Sequence, residues 1–81
     1  MSIRVLFFAS LADIAGGRES SVEAGEVTDI ASVFSKFAEK FPEMEGHRSS
    51  ALFALNSEFV RPDSPVRDGD EVAFLPPVSG G

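Results

Sequence analysis

From Ile3 to Ala9 apolar residues fill both phases of a two-residue alternation: Ile3, Val5, Phe7 and Ala9 in one, Leu6 and Phe8 with Arg4 in the other. That period predicts a β-strand with bulk on both faces. Ser10 to Ala15 has the length of one helical turn, and Gly16-Gly17 reads as a turn supplying positive φ. A weaker strand, centred on Val22, is expected over Arg18 to Ala24. The period then changes. Ile30, Val33, Phe34, Phe37 and Phe41 recur at helical spacing, predicting one amphipathic helix with Thr28 as N-cap and Asp29 at the positive end of its dipole. Its phenylalanines are core anchors, each worth roughly 1.5 to 3 kcal/mol when buried. Phe41-Pro42 closes the helix, because a residue before proline is pushed out of the α region.

Glu43 to Ser50 reads as a polar loop. Ala51 to Leu55 and Glu58 to Val60 are short strands about a tight Asn56-Ser57 turn, Asp63 to Val66 is loop, and Asp68-Gly69 turns into a last strand, Glu71 to Leu75. In that strand Val72 and Phe74 share one face, and Glu71, Ala73 and Leu75 the other. The order is β-β-α-β-β-β, with no repeat, low-complexity stretch or internal linker. A helix with one apolar face needs a sheet to cover, so the expected fold is an α+β roll of the ubiquitin-like β-grasp type, a mixed sheet of five strands under one main helix. Residues 1–75 would form this domain and residues 76–81 a flexible tail.

Composition narrows the function classes. The chain has 81 residues, 43% apolar and 25% charged, an ordinary balance for one globular domain too small for a spacious enclosed active site. Any catalysis then needs a partner. Thirteen acidic residues against seven basic give a formal charge of −6, which disfavours nucleic acid and anionic membrane and favours a basic protein partner. There is no cysteine, so sulfur chemistry would proceed without a thiol of this chain. The apolar start resembles a secretory signal only briefly: Asp13 interrupts it and no A-x-A site follows. No segment approaches the roughly 20 apolar residues of a membrane span, and a cytoplasmic location is the default expectation. The one histidine, His47, sits in the polar loop without a nucleophile-elbow motif. Asp68-Gly69-Asp70-Glu71 lacks calcium-loop spacing and reads as a strand-leading turn. Without a Walker or dinucleotide fingerprint, any ATP would bind elsewhere, and no cofactor or metal is expected on this chain.

The carboxyl end carries the most distinctive chemistry. Pro76 and Pro77 fix φ and withhold N–H donors, so the last strand must stop before them. Gly80 and Gly81 remove side-chain bulk and free the backbone, as threading into a narrow site requires. Pro76 to Gly81 would reach roughly 20 Å from the domain. Leu75, with Leu6 and Phe8 from the outer face of the first strand, would form an apolar patch beside that tail, a docking surface if no loop covers it.

The run Asp68-Gly69-Asp70-Glu71-Val72-Ala73-Phe74-Leu75-Pro76-Pro77-Val78-Ser79-Gly80-Gly81, with Ile3-Arg4-Val5-Leu6-Phe7-Phe8-Ala9 and Leu55-Asn56, resembles the small subunits of molybdopterin synthase, the MoaD branch of the ubiquitin-like ThiS/MoaD family. The resemblance spans essentially the whole chain. It implies a sulfur carrier that is no enzyme alone. An E1-like enzyme of the MoeB type would adenylate Gly81 with ATP, and sulfur from a separate donor enzyme would displace AMP to leave a thiocarboxylate. Inserted into the large subunit, MoaE, the thiocarboxylate would give its sulfur to cyclic pyranopterin monophosphate in building the molybdopterin dithiolene. A heterotetramer of two small and two large subunits is the implied assembly. Gly81 would carry the sulfur and Gly80 keep the arm thin. Val78 and Ser79 would line the mouth of the site after Pro76 and Pro77, and Leu6, Phe8, Ala73 and Leu75 would dock. Three alternatives stay open: a carrier for another pathway such as thiamin, a protein modifier joined through Gly81 to a lysine, and a docking module with an inert tail.

Overall fold

The structure, a computed structural model, describes residues 1–77. Alternating Ile3, Val5 and Phe7 bury one face of β1, Ser2–Phe7, against the core. The strand stops two residues earlier than the alternation predicts. Phe8 C=O accepts a hydrogen bond from Leu11 N–H at 3.1 Å, and Ala9 takes φ 51° and ψ −126°, so the chain turns away before Ala9 can face inward. One short helix follows, α1, Ser10–Ala15, and Gly16 at φ 76° ends it in the left-handed region. Then come β2, Glu19–Glu23, a 3₁₀ turn over Ala24–Glu26, and the main helix α2, Ile30–Lys40.

The start of α2 corrects the expected cap from Thr28 to Asp29. The Asp29 carboxylate accepts the Ser32 N–H at 2.8 Å, and Ser32 Oγ accepts the Asp29 N–H at 3.0 Å, a reciprocal capping box. Thr28 stands one residue outside, its carbonyl accepting the Val66 N–H. The loop before β5 completes the arrangement, because carbonyls of Ser64 and Pro62 accept the Ile30 and Ala31 N–H groups. The unpaired donors of a helix start are thereby satisfied.

After α2, Pro42–His47 is a 3₁₀ segment and not the predicted loop. Its Met44 is fully buried, plugging the core between polar neighbours that stay outside. Strands β3, Leu52–Leu55, and β4, Glu58–Val60, form a hairpin closed by Asn56 and Ser57, both at positive φ (50° and 74°). Two positive φ values give the right-handed twist a two-residue hairpin prefers, but serine there costs strain that glycine would not. Ser57→Gly is expected to raise the unfolding free energy by about 0.5 to 1 kcal/mol, net of glycine's larger unfolded-state entropy, as read from urea titration.

The last strand, β5, Glu71–Leu75, enters the middle of a five-stranded sheet of order β2-β1-β5-β3-β4. It runs parallel to β1 (Val5 opposite Val72) and antiparallel to β3 (Phe53 opposite Phe74), while the two outer pairings are antiparallel. Helix α2 covers one face, joining Ile30, Val33, Phe34 and Phe37 to Ile3, Val5, Phe7, Val72 and Phe74 in one core. Phe74 lies at the hub, its ring centroid 5.1 to 6.5 Å from those of Phe34, Phe53, Phe7 and Phe37, with tilted or edge-on packing.

Candidate functional site

Among the described residues no helix covers the opposite face of the sheet. Its side chains line up across the strands because each register pairs like phases: Leu6 lies opposite Ala73, Ala73 opposite Ala54, and Ala54 opposite Phe59. One step toward the carboxyl end of β5, Leu75 lies opposite Leu52, and Phe8 follows β1 with its N–H on the Phe74 carbonyl. Leu6, Phe8, Ala54, Phe59, Ala73 and Leu75 border one shallow depression of about 260 Å³, with Ser57 and Glu71 at its margin. Phe59 is 72% exposed and Phe8 44%, large apolar surfaces left to water in a fold that buries the rings of Phe7, Phe34, Phe37, Phe53 and Phe74.

All four docking candidates read from strand parity, Leu6, Phe8, Ala73 and Leu75, thus meet on one surface. Pro76 is half-buried and Pro77 exposed directly beyond Leu75, so the chain leaves the sheet at the apolar end of this face. Val78, Ser79, Gly80 and Gly81 lie outside the described residues. Phe59, Ala54 and Leu52 were not expected here. The alternation through Glu58-Phe59-Val60 was a usable signal, since a buried Val60 phase places Phe59 on the opposite side.

A polar border separates the apolar rows from the far end of the sheet. Arg4 reaches Glu19 through two contacts, at 2.8 and 3.1 Å, and Glu71 through a third at 3.1 Å. The hydrogen bonds from Arg4 hold the Glu19 carboxyl below the ordinary glutamate value, its charge adding to the effect against some desolvation. Because the folded-state value lies below the unfolded one, this pair supports the fold fully above about pH 4.5 and loses that support as pH falls through the lowered value. In an Arg4→Gln variant, carbon-detected NMR titration is expected to find Glu19 back near 4.5, the ordinary value. An unchanged midpoint would show that Arg4 is not the cause.

The other polar candidates have structural roles. Asp70 accepts the Arg67 N–H at 2.8 Å and an Asn56 side-chain N–H at 3.1 Å, while Gly69 at φ 87° donates its N–H to the Ser2 carbonyl. The acidic run is therefore the turn that launches β5. Among the described residues no group of three or more His, Asp or Glu side chains is placed to hold a metal, and no helix is long and apolar enough to cross a membrane. His47 ends the 3₁₀ segment, its carbonyl accepting the Ser50 and Ala51 N–H groups.

A mixed five-stranded sheet with one long helix on one face and an apolar patch on the other, at the root of its central strand, defines a ubiquitin-like β-grasp protein. Within that class the chain belongs to the ThiS family, whose profile matches residues 5–81. The molybdopterin synthase sulfur carrier subunit of Chlamydomonas reinhardtii is 37% identical to it, over 100% of both chains. That of Escherichia coli K12 is 35% identical, over 98% of this chain and 99% of its own. Among solved structures, SAMP1 from Haloferax volcanii superposes with a TM-score of 0.83 at 27% identity, covering 100% of both chains.

Proposed function

We propose that this chain is the sulfur carrier subunit of a molybdopterin synthase. The observation that carries the reading is the apolar face at the exit of β5, directly before Pro76-Pro77-Val78-Ser79-Gly80-Gly81, in a chain similar from end to end to proteins so named. A free carboxylate is ionised at neutral pH, with a reference pKa of about 3.3 to 3.7, and is a poor electrophile. Activation by an E1-like enzyme of the MoeB type would join Gly81 to AMP and release pyrophosphate. A donor enzyme then supplies sulfur at the hydrosulfide level, which forms the C–S bond as the C–O bond to AMP breaks and AMP leaves. ATP belongs to the activating enzyme and not to this chain.

The resulting thiocarboxylate is a nucleophile on a thin arm. The large subunit, MoaE, would dock on Leu6, Phe8, Ala73 and Leu75, joined by Phe59, and admit Val78 to Gly81 into its site. There the sulfur would displace an oxygen substituent from a carbon of cyclic pyranopterin monophosphate, joining Gly81 to it as a thioester. Water would then cleave the acyl C–S bond, leaving the sulfur on the pterin and returning the Gly81 carboxylate. Two such transfers build the dithiolene, a chemistry suited to an assembly of two small and two large subunits. The catalytic groups would lie on the large subunit, since this domain supplies only the sulfur and the face that aims it.

The test is intact and C-terminal peptide mass after exposure to an adenylating enzyme, ATP and a sulfur source. Exchange of one oxygen for sulfur at Gly81, alkylatable and distinct from oxidation of Met1 or Met44, is the expected result. An unmodified terminus, beside a control carrier that is converted, would overturn the reading. Adducts of higher mass that survive denaturation would point instead to a protein modifier.

A further inference from the structure

Beside the β3–β4 hairpin runs a groove of about 500 Å³, lined by the apolar Leu52, Phe53, Phe59 and Val60 and by Arg48 and Arg61. Its sign is unusual for this molecule. The chain carries a net charge of −6, and the depressions on the outer face, beside β2 and beside Phe41 each include a carboxylate: Glu71, Glu23 with Glu26, and Glu43. This groove has two guanidinium groups and no carboxylate in its lining.

The two arginines are held differently. Arg48 lies 5.0 Å from the Phe34 ring centroid, and its Nη2 donates to Ser35 Oγ and Glu45 Oε1, both at 3.0 Å, while Nε donates to Glu45 Oε2. These contacts fix the plane of the group and leave Nη1 without a partner among the described residues. An anion meeting a guanidinium already fixed loses less conformational entropy on binding. Arg61 approaches Asp63 only at 3.8 Å, with both side chains more than three-quarters exposed, so water screens that pair. Phe59 ties the groove to the docking face, since its ring borders both depressions.

We propose that this groove receives a short segment of the same protein partner that covers the outer face, a segment with an apolar side chain next to a carboxylate; the inference rests on the docking reading above. The apolar side chain covers Leu52 and Val60, and the carboxylate pairs with Arg61 and the open edge of Arg48. Phe59 is then desolvated from both sides, the setting in which an aromatic contributes most to an interface. An acidic segment against a groove lined by two arginines also fixes the register of docking, because a shifted partner would set its carboxylates against Glu71 or Glu58.

The test is calorimetric titration of the full chain with its cognate large subunit at low and high salt. Arg61→Glu is expected to weaken binding about tenfold and Arg61→Gln by less, both losing part of the salt dependence. Arg67→Glu, the same charge change near the opposite end of β5, is expected to stay within about twofold, the scale of rim charges. Leu6→Asp, checked for folding by circular dichroism, tests the docking face itself. Wild-type affinity in both Arg61 variants with loss in Leu6→Asp would overturn the groove and leave the docking face standing. Equal losses in Arg61→Glu and Arg67→Glu would also overturn the groove, as general electrostatics. Wild-type affinity in Leu6→Asp, or no binding by the unaltered chain, would overturn the docking reading on which the groove depends.

Discussion

Deleting Gly81 is expected to take sulfur transfer below detection while leaving the domain folded. Two parts of the chain are at stake, the terminus and the domain. Chemically, the transfer needs a carboxyl carbon at a fixed reach, and one residue fewer withdraws it by about 3.3 to 3.6 Å, more than the tolerance of an aligned reaction. Structurally, β5 ends at Leu75, and the described core and hydrogen bonds lie at or before it. The unfolding free energy should therefore stay within about 0.5 kcal/mol of the intact chain, the usual range for changes away from packed features. Thiocarboxylate mass and molybdopterin yield measure the first part, urea unfolding the second. Normal cofactor synthesis by the shortened chain would end the carrier reading; unfolding by it would end the separation of tail from domain.

Phe74→Ala should have the opposite profile, removing stability rather than chemistry. The ring is 0% exposed and packs against Phe7, Phe34, Phe37 and Phe53, so truncation leaves a cavity bounded by rigid aromatic rings with little freedom to collapse. A loss of about 3 to 5 kcal/mol is expected, enough to unfold much of a domain whose total stability is typically about 5 to 15 kcal/mol. Phe59→Ala, by contrast, removes a ring that is 72% exposed and should change stability little. Paired melts of the two variants check the contrast. Similar losses in both would mean that Phe59 also belongs to the core.

How much of this was legible in the sequence depended on whether the signal was local. Strand parity is local, and it sorted Ile3, Val5, Phe7, Val72 and Phe74 from Leu6, Ala73 and Leu75 correctly, because one face of the sheet is buried and a slip of one residue would expose it. Ala9 broke the parity for a reason alternation does not encode: the turn at Phe8 needs positive φ at the next residue. Met44 was hidden by company, one apolar residue among Glu43, Glu45, Gly46 and His47, and its burial comes from the 3₁₀ segment packing on α1 and α2. Asp29 and Thr28 are both good caps, and the choice was made by Ser32 and by carbonyls from a loop more than thirty residues away. The face that Phe59 occupies was readable in the alternation Glu58-Phe59-Val60, but its place in a row with Ala54, Ala73 and Leu6 depends on pairings with three other strands that no single segment reveals. The order β2-β1-β5-β3-β4 is likewise a property of the closed sheet.

Placing β5 between β1 and β3 also has a mechanical consequence. A tail drawn into and out of a partner pulls on its root, and that root is a strand bonded along both edges, parallel on one side and antiparallel on the other. A load along the strand axis must shear both ladders at once, whereas an edge strand pulled sideways would peel one bond at a time. Under the carrier reading, β5 would therefore act as a fixed anchor for any load applied beyond Leu75.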